Sequence, residues 1–200
     1  DLRNVLERAS ARETAARVAM GALVRQIIEP FGITLNSRVV SIGEVADAAN
    51  VTDDDFYKRV AASPVSFGDK DAETKAIEYI DKIKARGESS GGIVETVVNG
   101  APVGLGSYVH YDRKLDARIA FSVMSVQAMK GVEIGMGFDT AKTHGSNVHD
   151  EIVYDNGFSR ITNNAGGIEG GMSNGEPIVV RAAMKPIPTL YTPLSTVELS

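Results

Sequence analysis

Helical periodicity and β-rich segments occupy separate blocks of this chain instead of alternating strand by helix, and that ordering limits the fold more than any other feature. Ser10-Ala11-Arg12-Glu13 has capping-box spacing: the Ser10 hydroxyl is expected to accept from the third helical amide while Glu13 reaches back. Ala15, Ala16, Ala19, Leu23, Val24 and Ile27 then recur at helical spacing until Pro30 and Gly32, which predicts one long amphipathic helix. Residues 33–45 read as a strand or bent pair of strands, broken at Asn36-Ser37 and Gly43. Two helices are predicted over 53–61 and 71–86, the second with Ile77, Ile80 and Ile83 on one stripe and Gly87 to end it. After a hinge at Ser89-Ser90-Gly91-Gly92, residues 93–98 and Asn99-Gly100 predict a hairpin. A helix is predicted over 115–130, with Ile119, Val123 and Met124 inward and Gly131 ending it, followed by strands over 132–134, 151–154, 158–162 and 177–184. Such blocks imply an α+β fold rather than a doubly wound parallel sheet.

With 200 residues the chain is expected to form a single domain over 1–200. At 43% hydrophobic and 24% charged it has the composition of a globular protein, which excludes disorder throughout. Its 21 basic against 26 acidic residues give a net charge of -5, arguing against a nucleic-acid or anionic-membrane partner. The absence of cysteine removes disulfides, thiolate metal sites and cysteine nucleophiles, and a cytoplasmic setting fits best. No apolar run approaches the roughly 20 residues that span a bilayer. The chain starts without Met and enters a helical pattern almost at once, so it is expected to be the middle of something longer.

Chemistry has few places to sit. Arg8, Ser10 and Arg12 flank the predicted start of the first long helix, where free amides and the positive end of the dipole favour a phosphate or carboxylate; a well-capped helix with solvated arginines would leave the same pattern. The tract Gly166-Gly167-Ile168-Glu169-Gly170-Gly171-Met172-Ser173-Asn174-Gly175 lets backbone approach a ligand, or simply turns between strands. Gly171 to Gly175 satisfies G-x-S-x-G, but a nucleophile elbow needs a strand before it, a helix after it and, in hydrolase order, a later histidine. The last histidine here is His149. His144 and His149 are not spaced to share a helix face, so no metal site is expected. Gly135-Met136-Gly137 opens like a dinucleotide loop that lacks its third glycine. Lys185-Pro186-Ile187-Pro188-Thr189 closes a strand with one cation in a stiffened turn.

Taken in order, Glu7-Arg8-Ala9-Ser10-Ala11-Arg12-Glu13-Thr14, Ser90-Gly91-Gly92, Gly104-Leu105-Gly106, the segment from Met124 through Ser125-Val126-Gln127-Ala128-Met129-Lys130-Gly131 to Gly135, Asn164-Ala165-Gly166-Gly167-Ile168 and Lys185-Pro186 resemble chorismate synthases across essentially the whole chain. The resemblance implies a layered β-α-β sandwich, here partial, that assembles as a homotetramer. It implies conversion of 5-enolpyruvylshikimate 3-phosphate to chorismate by anti 1,4-elimination of phosphate, with reduced FMN as cofactor and no net redox change. By the same resemblance Arg8, Ala9, Ser10, Gln127, Ala128, Gly170, Lys185, Pro186, Ile187, Pro188 and Thr189 contact FMN, and Ser10, Ala11 and Arg12 face the substrate. Lys185 is the expected anion partner among the last group.

The family's Gly-Glu-Ser-His-Gly, Gly-His-Ala-Asp and Arg-Ser/His-Asp motifs are absent from these 200 residues. They would carry the acid and base groups, so no catalytic residue is assigned and this chain alone is expected to be nearly inactive. The readings left open are a core portion of a chorismate synthase, a noncatalytic module that binds flavin or a phosphometabolite, and a purely structural oligomer. Whether a separate flavin reductase supplies electrons also stays open.

Overall fold

In a computed structural model of the chain, which describes residues 1–49, 55–192, 194–195 and 197, Ser10 ends one helix and begins the next. α1 (Leu2–Ala9) is capped by the Asp1 carboxylate, which accepts from the Arg3 amide, and closes when the Ser10 N–H donates to Leu6 O. Ser10 then turns to extended backbone, and its Oγ accepts from the Arg12 amide to open α2 (Ala11–Ile28). The capping box does not form as expected: the Ser10 hydroxyl takes the second helical amide, that of Arg12, while the third, that of Glu13, donates to Ser10 O. The Ser10 N–H that Glu13 was expected to reach is already spent on α1, and Glu13 turns elsewhere. Gly32, at φ 79°, stops the short 3-10 turn Glu29–Phe31 that follows.

Two compact units divide the chain: Asp1–Asn36 with Glu95–Ala182, and Ser37–Val94 with Ala183–Ser200. Further elements are β1 (Thr34–Ile42), β2 (Val45–Ala46), α3 (Phe56–Ala62), α4 (Lys70–Ala85), β3 (Gly92–Asn99), α5 (Leu115–Met124), β4 (Met129–Ile134), α6 (Gly145–Val148), β5 (Ile152–Tyr154), β6 (Phe158–Arg160), β7 (Ile168–Glu169), β8 (Met172–Ser173) and β9 (Ile178–Met184). A five-stranded sheet has the order β2-β1-β3-β9-β4, and β5-β6 and β7-β8 are antiparallel pairs. Helices and largely hairpin-built strands in blocks make this an α+β fold, as the sequence implies. No helix among the described residues is long and apolar enough to cross a membrane.

The first unit is built around Ala101, Ile168, Ile178 and Val180, against which α5 lays Leu115, Ile119 and Val123 and β4 lays Val132 and Ile134. Met124, expected inward, is 44% exposed because α5 ends there. The stripe expected on α2 meets no core: Leu23, Val24 and Ile27 are exposed, with Val18 and Met20 beside them. Asn99-Gly100 does not close a hairpin. β3 already has β1 and β9 as neighbours, and Gly100, at φ 75°, sits where a Cβ would come 2.1 Å from Gly32 O.

In the second unit β1 and β2 form a tight hairpin across Gly43-Glu44, with Ile42 opposite Val45. Phe67, Ala72 and Ala76 pack with Val39, Ile42, Val45 and Val65. The buried stripe of α4 is thus Ala72 and Ala76, while Ile77 is exposed. The Asp69 carboxylate caps α4 by accepting from the Ala72 amide, and Gly87, at φ 70°, ends it. Phe56 is fully buried under the guanidinium groups of Arg38 and Arg59, 5.4 and 5.8 Å from its ring centre. The expected helix start at Asp53 and Asp54 lies outside the described residues. Gly91 and Gly92, expected as a hinge, permit close approach: a Cβ on Gly91 would meet Met184 O, and one on Gly92 would meet Ser41 O, each at 2.4 Å. Because Phe67 is 1% exposed in a small core, Phe67→Ala is expected to lower stability by about 3–5 kcal/mol, read as a shift of the midpoint in chemical unfolding.

Candidate functional site

Residues 125–128, expected to be helical, form a turn between α5 and β4. Ala128 takes φ 68°, a left-handed conformation that an L-residue adopts at some cost and that cannot continue a helix. This turn presents the Gln127 side chain to the α1–α2 junction. Gln127 Nε2 donates to Arg8 O at 3.0 Å and to Glu13 Oε2 at 2.6 Å, and Gln127 Oε1 accepts from Thr14 Oγ1 at 2.8 Å. A second tie runs alongside: Arg17 Nη1 donates to Ser125 Oγ at 2.7 Å while Arg17 Nε lies 2.8–2.9 Å from both Glu13 carboxylate oxygens. The Arg17 bond, then the Gln127 bond, hold the Glu13 carboxyl below its ordinary pKa range, so it stays an acceptor at neutral pH.

Arg8, Ala9, Ser10, Gln127 and Ala128, widely separated in sequence, are therefore brought together. Arg8 and Arg12 are exposed, and Arg12 lies 3.7 Å from Glu7, both well solvated. The Ser10 hydroxyl accepts from Arg12 N, which leaves its proton to be donated outward. Of Ala11 only the backbone, the first residue of α2, is described.

Gly170 sits at the tip of the β7–β8 hairpin. It and Gly171 both have positive φ, 60° and 86°, as a two-residue turn with the primed twist requires. Nothing lies within 4 Å of where a Gly170 Cβ would be, so the tip is open. Glu169 beside it accepts from Asn174 Nδ2 at 2.8 Å and Arg160 Nη2 at 2.6 Å. Ser173 in the same hairpin is 3% exposed, with its Oγ donating to Pro102 O and accepting from Leu105 N. That is a structural serine, and the G-x-S-x-G match carries no nucleophile. The dinucleotide-like Gly135 also has a packing explanation, since a Cβ there would collide with Asn164 O and the Gly166 amide at 2.2 and 2.5 Å.

Lys185, Pro186, Ile187, Pro188 and Thr189 belong to the second unit, where they follow β9 as an exposed extended segment. Ser89 Oγ donates to Ile187 O at 2.6 Å and holds its course. The histidines sit away from helix cores: His110 Nδ1 is 2.7 Å from Asp112 Oδ1 on an exposed turn, and His144 and His149 flank α6. Thr14, Glu13, Arg17 and Ser125 were not singled out as site residues. Only the Glu13–Arg17 spacing of four is visible in the sequence, because a bond between positions 113 residues apart leaves no local signal.

The family model of chorismate synthase matches residues 1–200. The chain belongs to the chorismate synthase family. It is 54% identical to a chorismate synthase of Geobacter metallireducens and 57% identical to one of Caldicellulosiruptor bescii, with 100% of this chain aligned and 53% of each relative covered. It thus spans about half the length of these curated relatives. A crystal structure of a chorismate synthase superposes with a TM-score of 0.88 at 47% identity, over 94% of this chain and 59% of the solved one. The fold is accordingly of chorismate synthase type.

Two outcomes follow. Ala128→Gly relieves the left-handed strain but loosens the unfolded chain, so stability is expected to change by less than about 1 kcal/mol, whereas Ala128→Val should cost roughly 2 kcal/mol or more; paired unfolding curves read the difference. The second concerns Asp150. Burial opposes its charge, but bonds from the Thr162 hydroxyl and the Ala165 and Asn164 amides outweigh burial and lower its pKa. A carboxylate more acidic in the folded state stabilises above its unfolded pKa, and the gain is lost as pH falls through the folded value. Asp150→Asn should therefore destabilise at neutral pH and cost progressively less as the acid range is entered, which melting curves across pH would show.

Proposed function

We propose that residues 1–200 are the core portion of a chorismate synthase that carries flavin and substrate contacts, and that the protein eliminates phosphate from 5-enolpyruvylshikimate 3-phosphate to give chorismate with reduced FMN. The observation that carries this reading is the Gln127 amide, which joins the Arg8-Ala9-Ser10 segment to the Gln127-Ala128 turn. These are the segments at which the family resemblance puts FMN.

The residues suit a phosphorylated flavin and a substrate with one phosphate and two carboxylates. The α2 N-terminus offers backbone amides and the positive end of an 18-residue helix dipole, with the Arg8 and Arg12 guanidinium groups alongside. Ser10 has a hydroxyl proton to donate, and Ala11 and Arg12 continue the same anion-facing turn on the substrate side. Gly170 adds an open hairpin tip that backbone alone can present to a ring. Lys185, with Pro186, Ile187, Pro188 and Thr189, supplies a solvated cation on a stiffened segment for the flavin phosphate and ribityl chain. Reduced FMN, when bound, supplies electron density as the carbon–oxygen bond to phosphate breaks. The work of this chain is to bind both anions, orient them and neutralise the charge that gathers on the departing phosphate. No acid or base is assigned to it: His110 is paired with Asp112 on an exposed turn and the motifs that would carry the family's histidines are absent from these 200 residues.

A homotetramer is part of the same proposal, supported by exposed apolar side chains on the β5–β6 hairpin, Ile152, Tyr154 and Phe158. The source of the reduced flavin, by this protein or a separate reductase, is not assigned.

Anaerobic titration with reduced FMN and 5-enolpyruvylshikimate 3-phosphate tests the reading. Both should bind, and Arg8→Ala and Arg12→Ala should each weaken binding by roughly tenfold or more, the worth of one charged hydrogen bond. Unchanged affinity in both variants would sink the assignment. The gene product that carries this chain should form chorismate, while a polypeptide of these 200 residues alone should form almost none. A noncatalytic module would bind both ligands and turn over neither in any form.

A further inference from the structure

The Gln127 side chain has no orientational freedom left. Arg8 O and the ionised Glu13 carboxylate can only accept, so the Gln127 NH2 group must face both of them, and its two protons are then used. Its carbonyl oxygen consequently points to Thr14, whose hydroxyl donates to it. Thr14 and Glu13 are half-buried on the first turn of α2, and Arg17, one turn on, grips Ser125 at the other end of the same 125–128 turn. Two parallel ties therefore fasten this turn to α2.

We propose that Thr14 and Glu13 are positioning residues of the cofactor site: they lock the Gln127 amide, and thereby hold the 125–128 turn in register with Arg8-Ala9-Ser10. The proposal rests on the flavin reading given above. It has a definite consequence for Gln127, whose side-chain donors are consumed inside the protein. Any hydrogen bond it donates to flavin comes from its backbone. The strained φ of Ala128 fits the same arrangement, because a left-handed residue next to Gln127 is kept only where its surroundings hold it. Residues that never touch the ligand thus set the distance between the two segments that do.

Thr14→Val is close to isosteric and removes only the hydroxyl donor, and Thr14→Ser restores it. In the wild-type chain, amide hydrogen exchange without flavin should be slow at Val126 and Met129, whose N–H groups donate to Val123 O and Val126 O. It should speed up in Thr14→Val and return to wild type in Thr14→Ser. FMN affinity should fall by roughly three- to tenfold in Thr14→Val, the worth of one hydrogen bond, and recover in Thr14→Ser. Gln127→Met, which removes all three bonds, should lose at least that factor, and Thr14→Val added to it should lose nothing more, since the bond from Thr14 is then already gone. Glu13→Ala should reproduce the faster exchange at Val126 and Met129. Unchanged exchange in Thr14→Val, no rescue by serine, or additive losses in the double variant would each overturn the proposal. If the wild-type chain binds no FMN, the flavin reading fails and takes the cofactor role with it, while the exchange measurements still decide whether Thr14 and Glu13 hold the turn.

Discussion

One side-chain amide joins the N-terminal helices to the turn between α5 and β4. Gln127 reaches an Arg8 carbonyl, a Glu13 carboxylate and a Thr14 hydroxyl at once. The two bends beside it, at Ser10 and Ala128, are what let the partners meet. Ser10 must leave α1 and open α2 at one residue, so that the Arg8 carbonyl and the first turn of α2 face the same partner. Ala128 must turn left-handed so that α5 ends in time for Gln127 to reach across. An acceptor-only carboxylate and an acceptor-only carbonyl make the orientation unique, which a pair of hydroxyls could not do.

Among the described residues the buried apolar clusters are small and many large apolar side chains are exposed. Ala101, Ile168, Ile178 and Val180 form one core cluster and Phe67, Ala72 and Ala76 another. Meanwhile Val18, Met20, Leu23, Val24 and Ile27 lie exposed along α2, and Ile152, Tyr154 and Phe158 along a hairpin. Exposed apolar side chains gathered on one element mark surfaces that partners cover. This agrees with a chain that spans about half the length of its relatives and with the proposed oligomer.

Much of the architecture was legible because its cause is local. Gly87 ends α4, Gly43 turns β1 into β2, and the strands expected over 151–154 and 158–162 pair as β5 and β6. The misreadings share a different cause. Helical spacing in α2 suggested a buried stripe, yet burial depends on what packs against the helix, which spacing does not encode. The helix expected over 115–130 was cut at Met124 by the tertiary ties on Ser125 and Gln127. Ser10 and Glu13 matched a capping box, but the Ser10 hydroxyl takes the Arg12 amide and α1 has already taken the Ser10 amide that Glu13 would reach.

For the site, the order and spacing of motif blocks by themselves determined the family, and the α1–α2 junction could be singled out as a candidate because Arg8, Ser10 and Arg12 lie close together in the sequence. The α+β class likewise followed from local periodicity and turn chemistry. Only the tertiary structure decided that Gln127 meets Glu13 and Thr14, that Ser173 is buried and structural, and that the α2 stripe faces outward. Each of these depends on a contact between residues far apart in the chain, and a hydrogen bond closed over more than a hundred residues leaves no trace in either local sequence.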